Sequence, residues 1–211
     1  SASLVGSEMC IRDRSNLGLR DNSNISSNYL INWTYPESYN LVSNLNQIDI
    51  PKKIKNGYIS SHWMASNLSS PEFIFDEEDN FQTINLDDQF TIVTDIIPKK
   101  NSEVDIEHSL KQIYNFTNSL LSPLKHKKIL ILKKDYAKNP LVGITEVVPF
   151  LNPFSDSFIY ETRFIKAYLA TYLHELLIID KRKKHWIPGG IQTYVMMKYV
   201  ESFYSKNKFF I

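Results

Sequence analysis

The spacing of apolar residues changes character near residue 100 of this 211-residue chain. Before that point, short runs rich in β-branched and aromatic residues alternate with turn residues, a pattern typical of strands. In the run from Phe90 to Ile97, every second residue from Phe90 to Ile96 shares one face, which predicts a strand that packs on at least that face. The predicted strands are YLINWTY (29–35), YNLVSNL (39–45), HWMASN (62–67), EFIFDEE (72–78), FQTINL (81–86) and FTIVTDII (90–97).

After residue 101 the apolar positions follow helical spacing, interrupted by extended segments. Ser102 is a suitable N-cap for the first helix, and Asp156 or Ser157 for the longest one, which is apolar on nearly all sides. A proline at position 188 suits the first turn of a last helix. The predicted elements are a helix from Ser102 to Pro123, a strand at 128–134, an extended segment at 139–149, a helix from Asp156 to about Asp180 and a helix from Pro188 to about Tyr204.

Charge and hydropathy argue against nucleic-acid binding through overall charge and against a membrane-spanning helix. With 24 basic and 23 acidic residues the net charge is +1, so no overall field favours nucleic acid. The basic run at 181–185 follows the longest helix, where cations complement the carbonyl end of the helix dipole. The longest apolar stretch, 158–179, contains five ionisable side chains, so no membrane span is expected there.

The first fourteen residues, SASLVGSEMCIRDR, are set apart from the rest. Their tract EMCIRDR resembles the conceptual translation of an adapter used in preparing sequencing libraries. We therefore interpret residues 1–14 as adapter-derived and expect the natural start of the chain to be missing. The segment contains Cys10, the only cysteine in the sequence, so the remainder offers no disulfide, thiolate ligand or cysteine nucleophile.

Two tracts in the last two helices carry a family resemblance. His174 and Glu175 lie inside the longest helix, and Trp-Ile-x-x-Gly-Ile-x-Thr-Tyr at 186–194 opens the next. This order resembles the gluzincin zinc aminopeptidases, the family of alanyl aminopeptidase, whose central helix carries HExxH and whose next helix opens with a Trp-Leu-Asn-Glu-Gly-Phe type motif. The resemblance implies an α+β fold: the end of an antiparallel β-domain at 15–98, then the N-terminal part of a thermolysin-like domain, truncated, at 101–211.

The resemblance also implies a zinc site, which this sequence matches incompletely. HExxH places two imidazoles one turn apart on one helix face, and its glutamate polarises a metal-bound water. Here Glu175 stands at the position of the catalytic base and His174 at the first ligand position, but Ile178 replaces the second histidine. Gly189 stands where the family has its third ligand, a glutamate. We therefore expect no bound metal and at most a vestigial role for Glu175; alternatively, His174 is a helix residue satisfied by local hydrogen bonds.

A weaker match concerns the family's exopeptidase segment, Gly-x-Met-Glu-Asn on an edge strand. Gly143 and Glu146 agree with it, whereas Thr145 and Val147 replace the methionine and the asparagine. In the family that glutamate binds the free α-amine of the substrate, so Gly143 and Glu146 are candidate substrate-binding residues. The other interpretation is a solvent-facing glutamate at a strand edge.

Three functions follow as hypotheses. The first is an aminopeptidase-like module that has lost zinc binding and catalysis and serves binding or structural support, with a peptide or protein as its partner. The second is an active zinc aminopeptidase with a rearranged site, which would need zinc. The third is an unrelated, non-enzymatic surface or interaction protein. None of the three includes a nucleic-acid partner.

Overall fold

The computed structural model describes residues 26–87, 90–98, 102–133, 155–177 and 186–206. Within them the chain forms nine strands and three helices, which confirms the predicted α+β class. The strands are β1 (Ser27–Pro36), β2 (Asn40–Ser43), β3 (Asn46–Gln47), β4 (Lys52–Lys53), β5 (Tyr58–Leu68), β6 (Phe73–Asp76), β7 (Gln82–Asp87), β8 (Phe90–Thr94) and β9 (Lys128–Ile131). The helices are α1 (Ile106–Leu120), α2 (Asp156–Leu176) and α3 (Trp186–Phe203).

The helix caps correct the sequence prediction. Helix α1 is capped by Asp105 rather than Ser102, and the Asp105 carboxylate accepts a hydrogen bond from the backbone N–H of His108 at 3.1 Å. The cap of α2 is Ser155, whose hydroxyl accepts a hydrogen bond from the backbone N–H of Phe158 at 3.2 Å. The residues predicted to cap this helix, Asp156 and Ser157, come directly after Ser155 in the sequence. Helix α2 ends at Leu176, earlier than the predicted end near Asp180. The extended segment predicted at 139–149 lies outside the described residues.

The strands form three sheets. In the first, β5 pairs antiparallel with β1, β3 and β4. The second is a two-stranded antiparallel ribbon of β2 and β6. In the third, β8 lies between an antiparallel partner, β7, and a parallel partner, β9. Helix α1 connects β8 to β9, as expected because parallel neighbours need a long crossover.

The ribbon of β2 and β6 is buried on both faces, and alternation of side chains explains how. Leu41 and Phe73 pack into the core beneath the first sheet. Their neighbours Val42 and Ile74 point the opposite way and pack against Val93 of β8. Successive strand residues face opposite sides, so the ribbon joins the first sheet to the third.

The largest core lies between the third sheet and the helices. Ile92 of β8 and Ile129 of β9 belong to this core, together with buried residues of all three helices such as Leu110, Phe164 and Tyr199. The strands before residue 98 therefore do not all belong to one sheet. Strands β7 and β8 pair with β9 in the third sheet, which packs against the helices, whereas the earlier strands form the other two sheets. No helix in the described part of the chain combines enough length and apolar character to cross a membrane.

A buried carboxylate joins the three helices. Glu161 of α2 is 4% exposed. It accepts hydrogen bonds from the hydroxyls of Ser109 on α1 at 2.7 Å, Tyr199 on α3 at 2.6 Å and Tyr204 just after α3 at 2.7 Å. Gln112 of α1 donates to the Tyr199 hydroxyl at 2.8 Å. Buried polar groups require such partners, so this network fixes how the helices pack.

Tyrosine burial predicts a loss of stability in alkali. Burial raises the pKa of Tyr172 to about 12, and burial together with Glu161 raises the pKa of Tyr199 and Tyr204. The folded state therefore keeps protons that the unfolded chain loses above about pH 10, so the stabilisation is complete below that pH and is lost above it. We expect the free energy of unfolding, measured in urea, to fall between about pH 10 and pH 12. Tyr172→Phe should make the decline shallower, and a pH-independent stability in this range would contradict the assignment.

Candidate functional site

His174 and Glu175 lie in the last turn of α2, where that helix meets the end of β5. Ser69, the residue after β5, donates its backbone N–H to one Glu175 carboxylate oxygen at 3.0 Å. The Ser69 hydroxyl donates to the other oxygen at 2.6 Å. The Glu175 side chain is 11% exposed. We call this pair of hydrogen bonds the Ser69–Glu175 clamp, since it ties the first sheet to the helices.

The clamp compensates an unfavourable position. A carboxylate in the last turn of a helix is repelled by the partial negative charge of the terminal carbonyls. Two donors from Ser69 offset that repulsion, and hydrogen bonds to a charged acceptor are the stronger kind. His174 faces the same serine, with its Nδ1 3.4 Å from the Ser69 hydroxyl and 3.9 Å from Glu175 Oε1. Both oxygens of Glu175 are therefore engaged within the protein.

Two of the three positions that the resemblance assigns to zinc ligands, His174 and Gly189, lie within the described residues. Gly189 lies exposed in the first turn of α3, and a Cβ atom added there would have open space around it. Ile178, Gly143 and Glu146 lie outside the described residues. Across the described ranges, no three His, Cys, Asp or Glu side chains are grouped so that they could hold a metal ion. Of the expected ligand positions that are described, His174 supplies an imidazole and Gly189 supplies nothing.

A cavity of about 180 Å³ lies beside the clamp, and we call it the α2–β9 cavity. Its wall brings together the face of α2, the start of β9 and the segment after β2. The ionisable side chains that line the cavity are Glu72, His126, Lys128, Lys166, His174 and Glu175. A second cavity, of about 190 Å³, shares His126, His174 and Glu175 with the first and extends past Ser69. Cavities at the junction of two cores are common ligand sites.

Two basic side chains attach the segment after β2 to β9. The His126 ring Nε2 lies 2.7 Å from the carbonyl oxygen of Asn44. Lys128 donates to the carbonyl oxygen of Leu45 at 2.6 Å, and its ammonium lies 5.7 Å from the centre of the Trp63 ring. Burial lowers the pKa of Lys128 to about 8. The pKa of Lys166 is also lowered by burial, so both ammonium groups are poorly solvated.

Only some residues of this site could be predicted from the sequence. Lys166 and His174 are eight positions apart, so the helical period places them on one face of α2, and this signal was available. Lys128 looks like a charge at the edge of a short strand, and Ser69 like a turn residue. Nothing local marks either as part of a site.

No protein-family model matches this chain, and a search of curated proteins finds no match. The residues that bear on the function are the clamp, His174 and the charged wall of the α2–β9 cavity.

Proposed function

We propose that this chain is a gluzincin-like module that has lost zinc binding and catalysis and serves binding or structural support. In this proposal the chain spans the end of the family's β-domain and the start of its thermolysin-like domain. The observation that carries the proposal is the clamp: the carboxylate at the family's catalytic-base position accepts two hydrogen bonds from Ser69.

The chemistry of a metallopeptidase base explains why this observation matters. Such a glutamate must present an oxygen to the metal-bound water and take up its proton. An oxygen that already accepts from a backbone N–H or a hydroxyl is held away from that task. Glu175 is held in this way at both oxygens, which favours a structural role. The partner of the module would be a peptide or a protein.

Metal analysis tests the proposal. After incubation with excess zinc and dialysis, the chain should retain no stoichiometric zinc, because His174 is the remaining ligand of a site that requires three protein ligands. It should not hydrolyse aminoacyl amides. Zinc content can be measured by atomic absorption, with His108→Ala on the exposed face of α1 as a matched control for loss of a surface histidine.

The opposite result is equally specific. Stoichiometric zinc that is lost in His174→Ala but kept in His108→Ala would establish a metal site that includes His174. If hydrolysis of aminoacyl amides accompanied that zinc, the active aminopeptidase with a rearranged site would replace the proposal.

A further inference from the structure

The α2–β9 cavity contains two basic groups that the proposed function does not use. Lys166 occupies the same face of α2 as Ala170 and His174, at intervals of four residues, and all three line the cavity. Lys128 reaches the cavity from the start of β9. The two lysines thus approach one cavity from two different elements.

Among the described residues, no carboxylate forms an ion pair with either ammonium group. In both cases burial is the physical cause of the lowered pKa, and no neighbouring carboxylate counteracts it. Lys128 uses one donor on the Leu45 carbonyl and retains two more. A poorly solvated cation of this kind is stabilised by an anion that enters the same cavity.

Two carboxylates on the wall limit what can enter. Glu175 is occupied by the clamp. Glu72 also lines the cavity, and its main chain is fixed by the side chains of Asn44 and Ser43. The remaining wall is mixed, with His126 and Thr171 among its polar residues and Ala167 and Ile129 among its small or apolar ones. A volume of about 180 Å³ corresponds to about six water molecules, which suits a small ligand.

We propose that the α2–β9 cavity binds a small molecule through an oxyanion, a carboxylate or a phosphate group, that Lys128 and Lys166 recognise. This inference does not depend on the gluzincin-like module, since the two lysines that would bind the anion stand at none of the zinc-ligand positions. Ammonium groups donate charge-assisted hydrogen bonds to carboxylate and phosphate alike, which is why the two sources share one chemistry.

Titration with acetate and with inorganic phosphate tests the proposal, with chloride at equal ionic strength as the reference. At least one of the two anions should raise the melting temperature saturably and give a dissociation constant by calorimetry. Lys166→Met should weaken binding about tenfold or more, the factor expected for loss of a hydrogen bond to a charged group. Lys128→Met should do the same. Because Lys128 also holds Leu45, the decisive variant is Lys166→Met, which replaces a half-buried lysine by an apolar side chain of similar length.

Two further variants distinguish binding inside the cavity from binding to charges on the protein surface. Lys127→Met removes the same charge from an exposed neighbour of Lys128 and should leave binding unchanged. Ala170→Leu, at an exposed position of the cavity wall, keeps both lysines but fills space and should abolish binding. Stabilisation by phosphate alone would assign a phosphate group, and stabilisation by acetate alone a carboxylate.

The proposal would be overturned by either of two results. In the first, neither anion stabilises the chain beyond the effect of chloride. In the second, binding persists with equal strength in Lys166→Met and Ala170→Leu, each shown to be folded by circular dichroism. Zinc content is irrelevant to both results, so failure here is distinguishable from failure of the proposed function.

Discussion

Replacement of Glu161 by leucine should lower the free energy of unfolding by about 3 kcal/mol, because it leaves several buried hydroxyls without an acceptor. The carboxylate accepts from Ser109, Tyr199 and Tyr204, and the first two of these residues are 3% and 0% exposed. Each buried donor left unsatisfied costs about 1 to 3 kcal/mol, and no longer burying a charge offsets part of that sum. Chemical denaturation in urea measures the loss.

Two companion variants define the cause of that loss. Glu161→Gln keeps one acceptor oxygen and should cost less than Glu161→Leu. Glu103→Leu, at an exposed position before α1, removes the same charge without stranding a donor and should stay within about 0.5 kcal/mol of the unmodified chain. If Glu161→Leu and Glu103→Leu gave equal stabilities, the network would not fix the packing of the helices.

Replacement of Glu175 by alanine should lower the free energy of unfolding by about 2 kcal/mol, since it removes two charge-assisted hydrogen bonds from Ser69. Relief of the repulsion between this carboxylate and the carbonyl end of α2 returns only about 0.3 to 1 kcal/mol. The sign of this change in the free energy of unfolding is informative. Catalytic residues are commonly held in strained or destabilising settings, so their removal often stabilises a protein. A structural residue gives the opposite sign.

Glu201→Ala is the matched control, since Glu201 is also a glutamate in the last turn of a helix. Its side chain is 55% exposed and pairs with Lys198 at 2.8 Å, an arrangement that contributes about 0 to 1 kcal/mol. Unfolding of both variants in urea under identical conditions gives the comparison. A Glu175→Ala chain more stable than the unmodified one would contradict the structural role.

The fold was predictable where alternation or helical spacing runs over enough residues. The alternating pattern from Phe90 predicts β8, and the same alternation explains why Val93 packs on the opposite face from Ile92. Strands β3 and β4 have two residues each, too few for a period of two to show. The caps failed for a different reason: Ser102 and Asp105 are both good N-cap residues, and local sequence does not decide between them.

The site was much less predictable because its contacts are long-range. Ser69 and Glu175 are separated by 106 positions, and periodicity along the chain carries no information about such a pair. Lys128 and Lys166 lie on different elements, and only folding brings them to one cavity. The His-Glu tract could be located, but whether its carboxylate is available depends on Ser69, which the sequence does not mark.

A double-mutant cycle between Ser69 and Glu175 tests the structural role of the His174–Glu175 tract most directly. The cycle compares the unfolding free energies of Ser69→Ala, Glu175→Ala and the double variant with that of the unmodified chain. We expect the two changes to be non-additive, with a coupling of about 1 kcal/mol or more, because the second substitution removes a hydrogen bond that the first has already broken. Additivity within about 0.3 kcal/mol would contradict the clamp and return Glu175 to the list of residues available for catalysis.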